Sequence, residues 1–489
     1  MHDDNFTKGL RGEFRGDFTR DTFDPLRHFS RVLMQQGRVQ LDADWNEQVS
    51  ISTHYIRTLV TDLIGPHGVP AKPNGTTVPS FEGDGFKIEA AGKTFRILLG
   101  HYYVNGILCD NDLDKDTEGI LYLNQPDYPL TKNEKERPLE EGNYLVYLDV
   151  WERHLSYVED DYMREKALGS PDTATRAKIV WQVKLIHHNK FEEDITPSEF
   201  KKNHEMFLSA LTSAKITRPG TGLLRARAQK ASKDNKDPCL VSPKAKYRGA
   251  ENQLYRVEIH KGGESRKEES NESNNKVTFK WSRENGSVIF PIMGISDSGI
   301  DVTLEHLGRD CRFGLKPNDW VEIVDDDYIL RSRADVLLQV ERVDLETLTV
   351  TLRTPSEPIN KIDLSKHPYL RRWDQKKGDA NGVLLREGSG TEDWIELEDG
   401  VEIQFLDPSG SDLEEAKAHV YQTGDYWLIP ARTATGDVEW PGVIDEPDFM
   451  EAQGVDHHYA PLANILVEEG TVNVSDNSDL RRKIIKLWK

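Results

Sequence analysis

The 489-residue chain predicts a mainly β, multidomain protein: several barrel- or sandwich-like antiparallel modules, a long N-terminal amphipathic helix and one further helix. Three observations carry this. Short runs in which apolar and polar residues alternate recur from Gly85 onward, punctuated by Gly, Asn and Pro, a pattern of antiparallel strands rather than of a parallel sheet. One stretch, Leu41 to Leu63, has a helical period instead. The length also exceeds one ordinary domain and suggests roughly three.

The helix comes first. Leu41, Trp45, Val49, Ser52, Ile56, Leu59 and Leu63 step by fours and threes, which lays them along one stripe. Asp42 or Asp44 is placed to cap the first turn, where acid suits the positive helix end. Gly65-Pro66 stops the helix, because proline cannot continue its hydrogen-bond ladder. Leu41, Trp45, Val49, Ile56, Leu59 and Leu63 are the candidate partner-docking residues, set to meet a partner helix or copies of themselves. A core-facing helix carries the same stripe, so the sequence leaves outward and inward docking both open.

Ahead of it, Phe6, Phe14, Phe18 and Phe23 are scattered through a polar arm, the composition of a segment that orders against a partner or a neighbouring domain. Residues 1–66 are thus arm plus docking helix. A first β module is expected over 67–190, with a hairpin turn at Asn105-Gly106 and strongly β-prone runs at Asn143–Trp151 and Ala177–Ile186. Residues 191–250 read as a helix and a connecting segment, the helix starting at a Thr196-Pro197-Ser198-Glu199 capping box and ending near Ser213. A second β region over 251–445, of one or two modules, opens with the alternating run Asn252–His260 and has an exposed loop at 261–276 and a second Asn-Gly turn at Asn285-Gly286. Residues 446–489 form a C-terminal segment.

Composition narrows the partners. With 63 basic against 84 acidic residues and a formal charge of -21, the chain repels phosphate backbones and anionic lipid, so neither nucleic acid nor membrane insertion is expected. The basic run Leu223–Lys230 is read as a solvated surface. Cys109, Cys239 and Cys311 are too few and too far apart for a disulfide framework or a zinc motif. No signal-peptide pattern opens the sequence and no apolar run reaches membrane-spanning length. The expectation is cytoplasmic synthesis without a signal.

Templates for chemistry fail one by one, and neither cofactor nor metal is expected. His204-Glu205 begins like a zinc-protease helix, but Leu208 stands where the second ligand belongs. Asp110, Asp112, Asp114 and Asp116 resemble a calcium loop lacking its glycine (Lys115) and bidentate glutamate (Leu121), so a solvated acidic loop is the better reading. Adjacent strand residues point to opposite faces, so His457 and His458 do not share a metal; one buried and one exposed is expected, as for His187-His188. Asp149/Glu152, Asp325–Asp327 and Glu396/Glu398 offer glycosidase-like pairs, yet in so acidic a chain such pairs arise by chance. Trp151, Trp181, Trp281, Trp394 and Trp427 lie in apolar strand patterns and read mostly as core, while Arg176, Arg283 and Arg432 read as braces on turn carbonyls and carboxylates.

Four groups of stretches together carry a resemblance: Gly37–Gln48; Leu148–Arg153 with Leu168–Arg176 and Val180–Val183; Asn252–His260 with Phe279–Ser287; and Gly424–Thr433 with Val438–Pro441 and His457–Leu462. The chain resembles a bacterial family of unknown function whose members occur in phage-like and contractile injection system gene clusters. The resemblance implies no enzymatic activity. It implies a structural or adaptor place on a tail-like particle, at its baseplate or spike end, with other tail subunits and copies of itself as partners, and with release as part of the particle. The alternative is a carbohydrate-binding or glycosidase-like module carried by the particle, with Trp394 and Trp427 as its sugar platform.

Overall fold

A computed structural model describes residues 12–484 except 71–83, 113–118, 170–171, 192–196, 218–219, 230–245, 266–275, 297–298, 311, 355–361, 409–417, 444–445 and 476–477. The protein is mostly β and multidomain, with sheets, a sandwich and a closed barrel.

Helix α1 runs from Asp42 to Ile64 with Leu41 at its N-cap. Asp44 accepts the Leu41 N–H at 3.1 Å, whereas Asp42, a candidate cap on sequence grounds, turns away and accepts the N–H of Thr19 at 2.8 Å. Gly65, at φ 91°, leaves the helix with its N–H on the Thr61 carbonyl.

The first β region is built on the strand Gly142–Leu155. Leu145 to Leu148 and Val150 are buried on both of its faces, and both neighbours are antiparallel strands: Arg176–His187 on one flank, His458–Glu468 on the other. Lys483–Ile484 adds a parallel edge to His67–Pro70. Within the C-terminal segment expected over 446–489, His458–Glu468 completes the first β region, because it has apolar residues to bury and pairs along the edge of Gly142–Leu155. The Asn105-Gly106 turn forms as expected, both residues at positive φ, and joins Gly100–Val104 to Ile107–Asn111.

The expected helix near Ser213 is interrupted. Thr196 lies outside the described residues; beyond it the chain forms a short helix, Pro197–Phe200, and then His204–Ser213, capped by Asn203, whose side chain accepts the Met206 N–H at 3.1 Å. A short polar side chain that satisfies a backbone donor starts a new helix more readily than it sits inside an old one. Phe200, Phe207 and Leu211 pack onto Leu145, Tyr147 and Ile186 of the first β region.

Leu223–Ala228, assigned on sequence to the connecting segment, is instead a strand paired with Val401–Leu406. That sheet packs on a second one built from Thr278–Ser282, Gln253–Lys261 and Tyr426–Arg432. Between Ser282 and Val383 of this sandwich the chain closes a six-stranded antiparallel barrel, Ile289–Ile295 to Tyr369–Trp373. Asn285-Gly286 is a turn at positive φ, but it carries the chain from sandwich to barrel instead of closing a hairpin. The exposed loop expected at 261–276 falls largely outside the described residues.

Candidate functional site

The alternation in Gln253–Lys261 is easily taken for a strand with one wet face. Tyr255, Val257 and Ile259 do fill the sandwich core, but Arg256, Glu258 and His260 on the other face are also buried. They meet Lys280 of Thr278–Ser282 and the barrel's Glu322, which in turn holds Trp373. Burying so many charges is stable only if each finds a partner. Glu258 holds Arg256 at 2.7 Å and Lys280 at 3.4 Å, and Glu322 holds Lys280 at 2.8 Å and the Trp373 indole N–H at 3.0 Å.

Into this junction comes the N-terminal arm. The Arg15 guanidinium reaches Glu258 Oε2 at 2.7 Å. Asn285 donates to the carbonyls of Phe14 and Gly16, Tyr426 to that of Gly12, and Arg432 to that of Thr19. Two of the arm's aromatics order against the rest of the chain, Phe14 edge-on to His154 at 6.3 Å and Phe23 on His54 at 5.8 Å, while Phe6 lies outside the described residues. Burial alone pushes the Glu258 carboxyl up, but Arg15, Lys280 and Arg256 hold it well below the usual carboxylate range. Burial, then the Lys280 ammonium, brings His260 down to about 3; burial, then Arg371 and Arg15, does the same to His154. His260 also lies 3.8 Å from Glu322, which favours its charged form, but burial outweighs that contact.

With the arm fastened, α1 is held by its polar side. Thr22 bonds Glu47, Phe23 packs on His54 at 5.8 Å, and Arg57 pairs with Glu152 at 2.9 Å. Ala43 and Ile51 are each 2 % exposed. Gly106 passes so close that a Cβ there would lie 2.4 Å from the Arg57 carbonyl oxygen. The opposite face is the apolar stripe. Leu41, Trp45, Val49, Ile56, Leu59 and Leu63 are between 42 % and 75 % exposed. Among the described residues, 12 of the 21 exposed large apolar side chains fall between Leu26 and Leu63. A typical monomer exposes no contiguous apolar patch beyond a few hundred Å² unless it is functional. All six sequence-selected docking residues thus lie on one exposed face, and the arm adds Leu33 and Met34 beside it, where the Val32 N–H meets Gln48 at 2.9 Å.

Other candidates resolve into structure. His457 Nδ1 donates to the Asp149 carboxylate at 2.7 Å while His458 meets Asn105 at 3.0 Å; they point apart as expected, but both are half-buried rather than one in and one out. His187 and His188 are likewise both half-buried. Lys184 and His457 hold Asp149 down to about 2 against its own burial. Glu152 is taken by Arg57, Asp326 by Arg153, Asp327 by Lys366, Glu398 by Arg283 and Glu396 by Arg248, while Asp325 caps Asp326–Leu330. Arg176 braces the carbonyls of Ala174 and Thr175, and Arg432 pairs with Glu439. Trp151, Trp181, Trp281 and Trp427 are buried, while Trp394 is half-buried with the Arg227 guanidinium 3.8 Å from its ring. Within Leu223–Lys230, Arg225 bonds Gln404 and Arg227 bonds Glu402 across the sheet, and Lys230 lies outside the described residues. Asp114 and Asp116 lie outside the described residues.

Sequence reasoning missed the buried network. Its one signal was charge at every second place of a strand whose other face was already apolar, Arg256, Glu258 and His260 against Tyr255, Val257 and Ile259.

Fold and site together define a multidomain β protein that clamps its own N-terminal arm and displays an apolar helix. The chain belongs to a family described as "Family of unknown function (DUF6519)", which matches residues 14–216 and again residues 202–471. Neither a curated protein nor a solved structure matches it. Among the described residues no helix is long and apolar enough to cross a membrane.

Proposed function

We propose that this protein is a non-enzymatic structural or adaptor component of a phage-tail-like contractile injection particle, seated toward its baseplate or spike end. The observation that carries the reading is the inversion of α1: its polar side is fastened to the body and its apolar stripe is left to solvent. An exposed apolar face of this size is costly in water and is kept where another subunit covers it. The resemblance of Gly37–Gln48 and its companion stretches to proteins of tail-like gene clusters supplies the kind of assembly. The arm clamp supports the same reading, since it fixes the direction in which the stripe faces.

The test is incorporation. Particles sedimented from cells carrying Trp45→Ala with Ile56→Asp should lack the protein by mass spectrometry, while the soluble variant keeps the wild-type near-ultraviolet dichroism. Normal particle content in that double variant overturns the assignment. Sheath, tube and baseplate genes beside this one support it, and their absence counts against it.

A further inference from the structure

The stripe has the stereochemistry of a self-pairing seam. From Trp45 the exposed residues step 4-3-4-3-4, a heptad with Val49, Ile56 and Leu63 at a and Trp45, Ser52 and Leu59 at d. The body is held by the b, c and f positions Ala43, Glu47, Ile51, His54 and Arg57. At its centre the seam sets the β-branched Val49 and Ile56 at a and Leu59 at d, a combination that favours two parallel strands over three or four. Ser52, the one polar place in the seam, has its hydroxyl on the Gln48 carbonyl at 3.0 Å, so covering it strands no donor.

Charge points the same way. A chain of net charge -21 repels its own copies. Yet the positions flanking the seam, Asn46, Thr53 and Val60 at e with Gln48, Tyr55 and Asp62 at g, carry a single charge among them. In a parallel pair Tyr55 of each copy lies against Val60 of the other, extending the apolar contact.

We infer that the stripe of α1 pairs in parallel with the stripe of a second copy of this chain, the two bodies lying on opposite sides of the paired helices. This deepens the functional reading by naming the occupant of the same surface, and rests on it only for where the pair is used.

The experiment uses the full chain in solution. Its mass by light scattering at micromolar concentration should be twice that of one chain. Ile56→Asp and, separately, Leu59→Asp should each weaken the association by at least roughly a hundredfold, with native dichroism kept. Leu63→Cys should cross-link to a second copy under mild oxidation, beyond any background from the wild-type cysteines, because only a parallel seam brings the two residues 63 together. A monomeric wild type, a trimer, a dimer indifferent to Ile56→Asp, or no cross-link at residue 63 overturns the inference. A monomer that still enters particles through the stripe would sink this inference alone; a stripe-dependent dimer never found on particles would sink the functional reading alone.

Discussion

Arg15 and Glu258 form an ion pair at 2.7 Å in which both side chains are at most 5 % exposed, so the N-terminal arm is tied to the middle of the sandwich. Arg256 and Lys280 share the same carboxylate, and of these four groups Arg15 alone comes from outside the β modules.

Glu258 keeps Arg256 and Lys280 when Arg15 is removed, so what is lost is one charge-assisted contact and the hold on the arm. Arg15→Ala is expected to lower unfolding stability by about 1.5–3 kcal/mol, read from denaturant midpoints. It should also expose the bonds at Arg20 and Arg27 to trypsin sooner than in the wild type. Unchanged digestion would mean that the arm is held without Arg15.

The hairpin turn at Gly106 is a seat for α1. Its φ of 74° and the 2.4 Å approach of a Cβ to the Arg57 carbonyl oxygen leave room for glycine alone. Gly106→Ala should cost about 1–2 kcal/mol for the backbone conformation alone. The loosening should appear as faster amide exchange in α1, with the barrel strands unaffected.

The two faces of α1 should answer oppositely to substitution. Ile51, 2 % exposed, is expected to cost about 2–4 kcal/mol as Ile51→Ala. Ile56→Asp at 60 % exposure should leave the single chain's stability within about 0.5 kcal/mol. Chemical denaturation of both variants at high dilution, below any self-association, separates the faces directly; equal losses would place the stripe inward.

Acid should unfold the protein through its buried histidines and Glu258. The unfolded imidazoles of His154 and His260 protonate near pH 6.5, whereas burial first, and then neighbouring cations, hold the folded ones at about 3. The unfolded state therefore binds more protons across that window, and stability falls as pH drops from about 6.5 toward 3. Glu258, with its folded pKa depressed, adds a loss that begins as pH falls through the unfolded carboxylate value near 4.3. Denaturant midpoints measured from pH 7.5 to pH 4 should decline, and His260→Gln should flatten the decline.

Local order was legible. The start of α1 after Leu41, its end before Gly65-Pro66, the Asn105-Gly106 turn and the run Asn143–Trp151 come from periodicity, φ preference and side-chain shape, which act within a few residues. Reach across the chain was not. His458–Glu468 and Leu223–Ala228 carry ordinary strand patterns, and nothing within them says which edge they complete. The polar face of Gln253–Lys261 reads as solvent-facing until the barrel and Arg15 close over it.

By itself the sequence determined that residues 42–64 form an amphipathic helix with one apolar stripe, because helical spacing is a local property. Which way that stripe faces was decided only by tertiary structure. The partners that hold the other side, Thr22, Phe23, Glu152 and the Gly106 turn, come from distant parts of the chain, and each pairs with a polar or small position that periodicity alone would have turned to water.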